Sequence, residues 1–346
     1  MKRRLPLSYN ARTTDASRGG CFHAGMTLVE ITGTIPAMAK TVVSELAQFG
    51  LIEFTGPDAQ GFLHNQLTCD VANLAVGRST YGAYCTPKGR ALASFLLWRT
   101  AERFYMMLPA ALCDSTHKLL SKYILRAKVK AADVSQSWRL IGASGAEAHA
   151  VSASAAGEAP PGINEVAESL DAMVVRLADD RHLIAARPDK AQLLLASAHQ
   201  KTGPEYWDWL QIRAGVPTIL PATQEAFVPQ MLNLDALGGV SLSKGCYPGQ
   251  EIVARMHYRG TLKQRMVLAK LASAELAQPD DKLYSPAFGE QACGTVVNAA
   301  RSPEGGCDLL AVLQIAAAEK GDIHWKSAGG PRLSLLPLPY ALPAAG

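Results

Sequence analysis

A chain of 346 residues, 48% hydrophobic and 18% charged, has material for two or three domains of roughly 150 residues, each with its own core. That composition excludes a largely disordered chain, and no uninterrupted apolar run reaches the ~20 residues of a membrane span. The balance of 34 basic against 30 acidic side chains lacks the excess of a dedicated nucleic-acid binder, so any contact with RNA is expected to be weak or indirect.

In chain order, residues 1–25 carry Lys2, Arg3 and Arg4 but not the apolar stretch that a signal peptide needs, and read as a disordered tail. Being polar and nearly acid-free, they also suit a transit peptide or a misassigned start. From Leu51 to Val71 a short strand, the turn Thr55-Gly56-Pro57-Asp58 and a helix burying Phe62, Leu63 and Leu67 are predicted. Thr80 to Cys85 and Ala91 to Arg99 form a hairpin across Thr86-Pro87-Lys88-Gly89-Arg90. A strand from Phe104 to Leu108 then runs through Pro109 into a helix ending near Tyr123, and Ala127 to Val134 is extended. Such local pairing favours antiparallel sheet.

Residues 142–162, rich in Ala, Ser, Gly and Pro, read as an exposed helix-and-loop connection with too few large apolar groups to seed a core. A second hairpin, Met173 to Leu177 and His182 to Ala186 across Ala178-Asp179-Asp180-Arg181, leads through Pro188 into a helix reaching about Gln200. Its strand, proline, helix order repeats that of residues 104–123 and suggests a duplication. Pro204 to Ala214 is a helix carrying Tyr206, Trp207, Trp209, Leu210 and Ile212, stopped by Gly215-Val216-Pro217. Beyond Thr261, short β runs (Met266 to Leu271, Gly294 to Ala299, Leu309 to Gln314, Arg332 to Leu336) point to a small β domain.

The cysteines at 21, 69, 85, 113, 246, 293 and 307 include no C-x-x-C pair, which leaves a zinc site unsupported and suits a reducing, cytoplasmic setting. Nucleotide-loop, zinc-protease and hydrolase motifs are absent as well. The chemistry-bearing segment is 226–260, and within it Lys244-Gly245-Cys246-Tyr247-Pro248-Gly249-Gln250-Glu251. Gly245 and Gly249 permit conformations or close approaches that a Cβ obstructs. Pro248 precedes a helix from Gly249 to His257. A thiol ahead of a helix N-terminus, with Lys244 and Arg255 nearby, is favoured as thiolate, the environment of a reactive cysteine. The alternative is an ordinary buried cysteine in a tight turn.

This motif, with Asn233-Leu234 and Ala236-Leu237-Gly238-Gly239 before it and Val253-Ala254-Arg255 and Arg259-Gly260 after it, resembles the signature of the YgfZ family, GcvT-like folate-binding proteins linked to iron-sulfur cluster maintenance and tRNA modification. Phe62-Leu63, Gln66-Leu67-Thr68, Asp70-Val71, Lys88-Gly89-Arg90, Ala214-Gly215-Val216-Pro217, Gly294-Thr295-Val296 and Pro337-Leu338-Pro339-Tyr340 extend the resemblance over about residues 45 to 341. The resemblance implies an α+β fold: two antiparallel α+β subdomains within 26–260, with 142–162 as a linker-like insert, and a C-terminal β-barrel in 261–346, around a central folate pocket. Phe49 and Trp207 match its folate-contacting aromatics, Phe49 standing where a tryptophan is familiar. In the related aminomethyltransferases a glutamate holds the pterin, whereas here the corresponding hairpin is Ala178-Asp179-Asp180-Arg181. Cys246 replaces their late aspartate, so glycine-cleavage chemistry is not expected.

What the resemblance implies about function is a cytoplasmic accessory protein that binds tetrahydrofolate or another reduced folate and uses Cys246, assisted by Lys244, in assembly or repair of iron-sulfur clusters. Its clients would be enzymes such as tRNA methylthiotransferases. A folate-dependent one-carbon transferase using Cys246 covalently and a folate-sensing module are the alternatives. Arg255 and Arg259, with Lys263 and Arg265, are candidates to hold folate glutamates. A second basic group, Lys118, Lys122 and Arg126 along one helical face with Lys128 and Lys130 just beyond it, reads as a solvated stripe.

Overall fold

The computed structural model describes residues 41–258 and 262–343. The tail 1–25, Cys21 and the motif residues Arg259 and Gly260 lie outside the described residues.

After β1 (Val42–Glu45), the first unit runs β2 (Phe49–Thr55), α1 (Ala59–Gln66), β3 (Arg78–Cys85), β4 (Ala91–Arg99), β5 (Arg103–Pro109), α2 (Ala110–Ser121) and β6 (Lys130–Asp133). The same order then recurs in β7 (Arg139–Ser144), α3 (Ala148–Ala156), β8 (Val166–Glu168), β9 (Ala172–Ala178), β10 (Arg181–Ala186), α4 (Pro188–Ser197) and β11 (Lys201–Thr202). Their sheets, ordered β3-β4-β5-β2-β6 and β8-β9-β10-β7-β1-β11, share one plan: a three-strand meander whose last strand lies beside the strand that opens the unit. The duplication suggested by the strand, proline, helix pattern is thus repeated in three dimensions.

One strand breaks the symmetry. β1 precedes the first unit in sequence but is inserted between β7 and β11 in the second sheet, so the units are interlocked by the chain itself. Its pairing with β11 is parallel, Val43 opposite Lys201, a single exception in sheets whose other named pairs are antiparallel as expected. The expectation for 142–162 is corrected. Gly142, Ala143 and Ser144 lie buried in β7, near the middle of a sheet, and Ala148, Ser152, Ala155 and Ala156 form the buried face of α3. Small side chains here permit close packing: a Cβ on Gly142 would come within 2.1 Å of the Trp207 ring. The basic stripe is not one helical face, since α2 stops at Ser121 and Lys122, Arg126, Lys128 and Lys130 follow it on exposed turns and the edge strand β6.

α5 (Pro204–Arg213) crosses from the second sheet to the third. It begins at Pro204, which lacks the amide proton a first turn leaves unpaired, and ends before Gly215, whose φ of +67° suits glycine. After α6 (Gln250–Tyr258) the third sheet comprises β12 (Gln264–Leu271), β13 (Lys282–Tyr284), β14 (Ala292–Arg301), β15 (Cys307–Gln314), β16 (His324–Trp325) and β17 (Leu333–Leu336), with α7 (Ile315–Lys320) after β15. Its order is β16-β13-β14-β15-β12-β17, and a bridge from His324 to Arg332 brings the two edges together, curling the sheet towards a barrel. β13 and β16, three and two residues long, are too short to register as apolar runs. The principal core is continuous across the three sheets, from Leu51, Trp98 and Met107 through Trp207 to Leu268 and Val312.

Candidate functional site

The Cys246 loop is held from both sides. Below it, the Lys244 ammonium donates to the carbonyls of His64, Leu67 (2.6 Å) and Cys69 (2.8 Å), groups at and just past the C-terminus of α1. Helix ends leave carbonyls unpaired, and a buried cation satisfies them while meeting the negative end of the helix dipole. The Tyr247 ring is buried, with Lys244 Nζ 5.0 Å from its centroid, and Gln250 Nε2 donates back to the Lys244 carbonyl at 3.1 Å. Burial pushes the Lys244 pKa down to about 8. All three ammonium donors are spent on backbone carbonyls, so Lys244 positions the loop and makes no hydrogen bond to the thiol.

On the other side, Gly249 has φ +85°, and a Cβ there would come within 2.5 Å of Gly89 Cα in the β3–β4 hairpin. Gly89, itself at φ +71°, leaves only 3.1 Å between a built Cβ and Ile252 on α6. Two glycine signals far apart in sequence, Lys88-Gly89-Arg90 and Pro248-Gly249, are therefore halves of one backbone contact. Gly245 differs: a Cβ would meet nothing within 4 Å, so close packing does not require glycine there. Glu251 pairs with Arg255 one turn along α6 at 2.7 Å, both largely exposed, and this pair does not reach the thiol.

At the tip of this anchored loop Cys246 is exposed, whereas Cys69, Cys85, Cys113, Cys293 and Cys307 are all buried. Burial pushes the thiols of Cys69 and Cys85, which flank Tyr247, up to about 12. Cys246 is the only exposed cysteine among the described residues, and the reading of it as a buried turn residue is overturned. No group of three or more metal-ligating side chains is found among the described residues.

The wider signature converges on one junction. Asn233, buried and left-handed at φ +57°, donates to Met266 O at 2.9 Å, and Arg265 forms a two-pronged pair with Asp235 at 2.7 and 2.8 Å. Tyr340 Oη donates to Gly215 O at 2.8 Å. Arg265 is thereby committed to structure, while Arg255 meets Glu251 at the exposed surface and Arg259 lies outside the described residues.

A separate cleft opens between the sheets. Its outer part, about 140 Å³, is lined by Phe49, Pro109, Asp208, Gln211, Val216 and Thr218 among others, and a recess continues inward to Tyr81 and Phe95. Phe49 is half-buried here and can offer a ring face. Trp207 is fully buried, with one face packed against Gly142, so it stands behind the cleft wall as core. Several buried polar atoms have no partner among the described residues: Trp207 Nε1, Tyr81 Oη, Gln211 Oε1, and Nε and Nη2 of Arg181. Sequence reasoning missed Tyr81, Arg181 and Gln211. The available signal was Gln211, a polar residue between Leu210 and Ile212; Arg181, directly after Asp179-Asp180, carried none. Cys246 does not line the cleft. The link between the two places is β3, whose Tyr81 faces the recess and whose Cys85, roughly 13 Å further along the strand, neighbours Tyr247.

A model of the GCVT N-terminal domain matches residues 36–161. The protein from Sodalis glossinidius named tRNA-modifying protein YgfZ is 32% identical over 310 residues, covering 87% of this chain and 93% of that protein. The protein of the same name from Yersinia pseudotuberculosis is 31% identical, covering 87% and 93%. Among solved structures, glycine cleavage system aminomethyltransferase T from Bartonella henselae superposes with a TM-score of 0.68 at 18% identity, covering 88% of this chain and 87% of that one. The structural likeness establishes a GcvT-like α+β fold, and the two relatives match over most of this chain and nearly all of their own length: the chain belongs to the YgfZ family.

Proposed function

We propose that the chain is a cytoplasmic folate-binding accessory protein in tRNA modification, supporting assembly or repair of iron-sulfur clusters in enzymes such as tRNA methylthiotransferases through Cys246. The observation that carries this reading is Cys246 itself, an exposed thiol on a loop fixed by Lys244 and Gly249. Thiolate ligation of iron requires an accessible sulfur whose proton can leave to solvent. A single sulfur does not complete a cluster's usual four, so the client supplies the remaining ligands and Cys246 handles the cluster transiently. The relatives are named as tRNA-modifying proteins, and the modest net charge here favours action through a protein client over direct tRNA binding.

A reduced folate suits the cleft by chemistry: Phe49 can stack on a flat ring, Gln211 Oε1 can accept a ring N–H, and Tyr81 can donate. When bound, the folate supplies a carrier for a one-carbon unit. Covalent transferase chemistry by Cys246 is less well supported, because the thiol and the cleft are different places.

The test is complementation. In a strain lacking this protein, the wild type is expected to restore thiomethylated nucleosides in tRNA and Cys246→Ala to fail at equal protein level. Equal rescue by both would discard the thiol and leave a folate sensor.

A further inference from the structure

Arg181 opens β10 and is 1% exposed. Its Nη1 donates to Leu210 O at 2.8 Å, and its guanidinium carbon lies 5.9 Å from the Trp207 ring. Nε and Nη2 have no partner among the described residues. These two nitrogens form one edge of the guanidinium, so what is left open is a pair of parallel N–H donors. Asp180 and Tyr81 are close enough to favour the charge, but neither bonds to that edge, and the Tyr81 hydroxyl is itself unpaired. A buried cation with two unused donors is costly unless something arrives to use them. Tyr81 joins this cluster to the recess of the cleft.

We propose that the open edge of Arg181, seconded by Tyr81, is a specificity-determining subsite that receives a coplanar pair of acceptors from the ligand. This deepens the folate reading and rests on it. A folate offers such a pair in two places. One is the pterin's C4 oxygen with its N5 nitrogen, an in-plane acceptor in dihydrofolate and disposed there like the oxygen and nitrogen of guanine that arginine grips two-pronged in nucleic-acid recognition, whereas in tetrahydrofolate N5 carries a hydrogen and the C4 oxygen accepts alone. The other is a glutamate carboxylate. The polarity is the point: the site presents donors, so it selects ligands by their acceptors. Removing the guanidinium should weaken binding without weakening the unliganded fold, because a buried unpaired charge replaced by an apolar chain of similar size is often neutral or stabilising.

The experiment measures tetrahydrofolate affinity by tryptophan fluorescence, with thermal melts, for wild type, Arg181→Met, Arg181→Lys and Tyr81→Phe. Arg181→Met is expected to bind about 30-fold or more weakly and to melt at or above the wild-type temperature; Tyr81→Phe should lose about three- to tenfold. Competition by 6-methyltetrahydropterin and by p-aminobenzoylglutamate assigns the source: the fragment whose affinity falls in Arg181→Met is the one the edge holds. If Arg181→Met does not fold, Tyr81→Phe and Arg181→Lys decide. Wild-type affinity in the folded variants would overturn the subsite while leaving folate binding intact. Failure of the wild type to bind tetrahydrofolate would instead remove the folate reading itself.

Discussion

The Cys246 loop and the central cleft differ in how far their polar groups are satisfied. In the loop the buried ammonium of Lys244 has three carbonyl partners and Gln250 closes the turn, so the segment is complete without any ligand. At the cleft, Tyr81 and Gln211 in its lining and Arg181 and Trp207 behind it hold buried polar atoms with no partner among the described residues. A completed region makes its exposed residue the reactive element. An incomplete one makes its buried residues the recognition element. Polar deletions should therefore be expensive in the loop and cheap in the cleft.

The largest effect is expected at Lys244. Lys244→Met strips the carbonyls of His64, Leu67 and Cys69 of their donor, and urea denaturation should show a loss of about 3 kcal/mol, against less than about 0.5 kcal/mol for Cys246→Ala. Equal, small losses would mean that the loop is not anchored as described. Next is a pair of glycines. Gly249→Ala places a methyl against Gly89 at positive φ and should cost about 2 kcal/mol, whereas Gly245→Ala, facing open space, should stay within about 0.5 kcal/mol.

A pH effect comes third. Cys69 and Cys85 beneath the loop have thiols raised from 9.0 to about 12, so the unfolded chain gives up these protons first and folding stability falls as pH rises from about 9 towards 12. The slope is about 1.4 kcal/mol per pH unit for each thiol, and denaturant titrations between pH 8.5 and about 10.5 should show it flattened in Cys85→Ala. The smallest effect belongs to the cleft: Gln211→Met, removing an acceptor that has no partner, should shift unliganded stability by less than about 1 kcal/mol in either direction. A loss of several kcal/mol there would erase the contrast between the regions.

The two regions were also unequally legible in the sequence. Lys244 to Glu251 stood out because glycine, proline and cysteine at fixed spacing carry local backbone meaning, and the helix after Pro248 and the hairpin at Thr86 to Arg90 followed from the same turn chemistry. That the two glycines touch was not legible, since the contact is made by strands and helices folding together across about 160 residues. The anchoring role of Lys244 was not legible either, because chain spacing from Cys246 does not say that its side chain turns to α1. The cleft was nearly silent. Arg181 lay hidden in a hairpin that read as a plain polar turn, and the burial that gives it meaning arises from β3 and α5, neither adjacent in sequence. The segment 142–162 misled for a related reason: small residues look like linker by composition, yet Gly142 is small because Trp207 lies on it.

The most direct test of the Cys246 claim is cysteine-resolved alkylation of the native protein by iodoacetamide, followed in time by peptide mass spectrometry. Cys246 is expected to label to completion while Cys69, Cys85, Cys113, Cys293 and Cys307 remain protected until denaturant is added. Labelling of Cys246 no faster than the buried thiols would contradict the account, because an anchored loop that does not deliver its sulfur to solvent has nothing to offer a cluster.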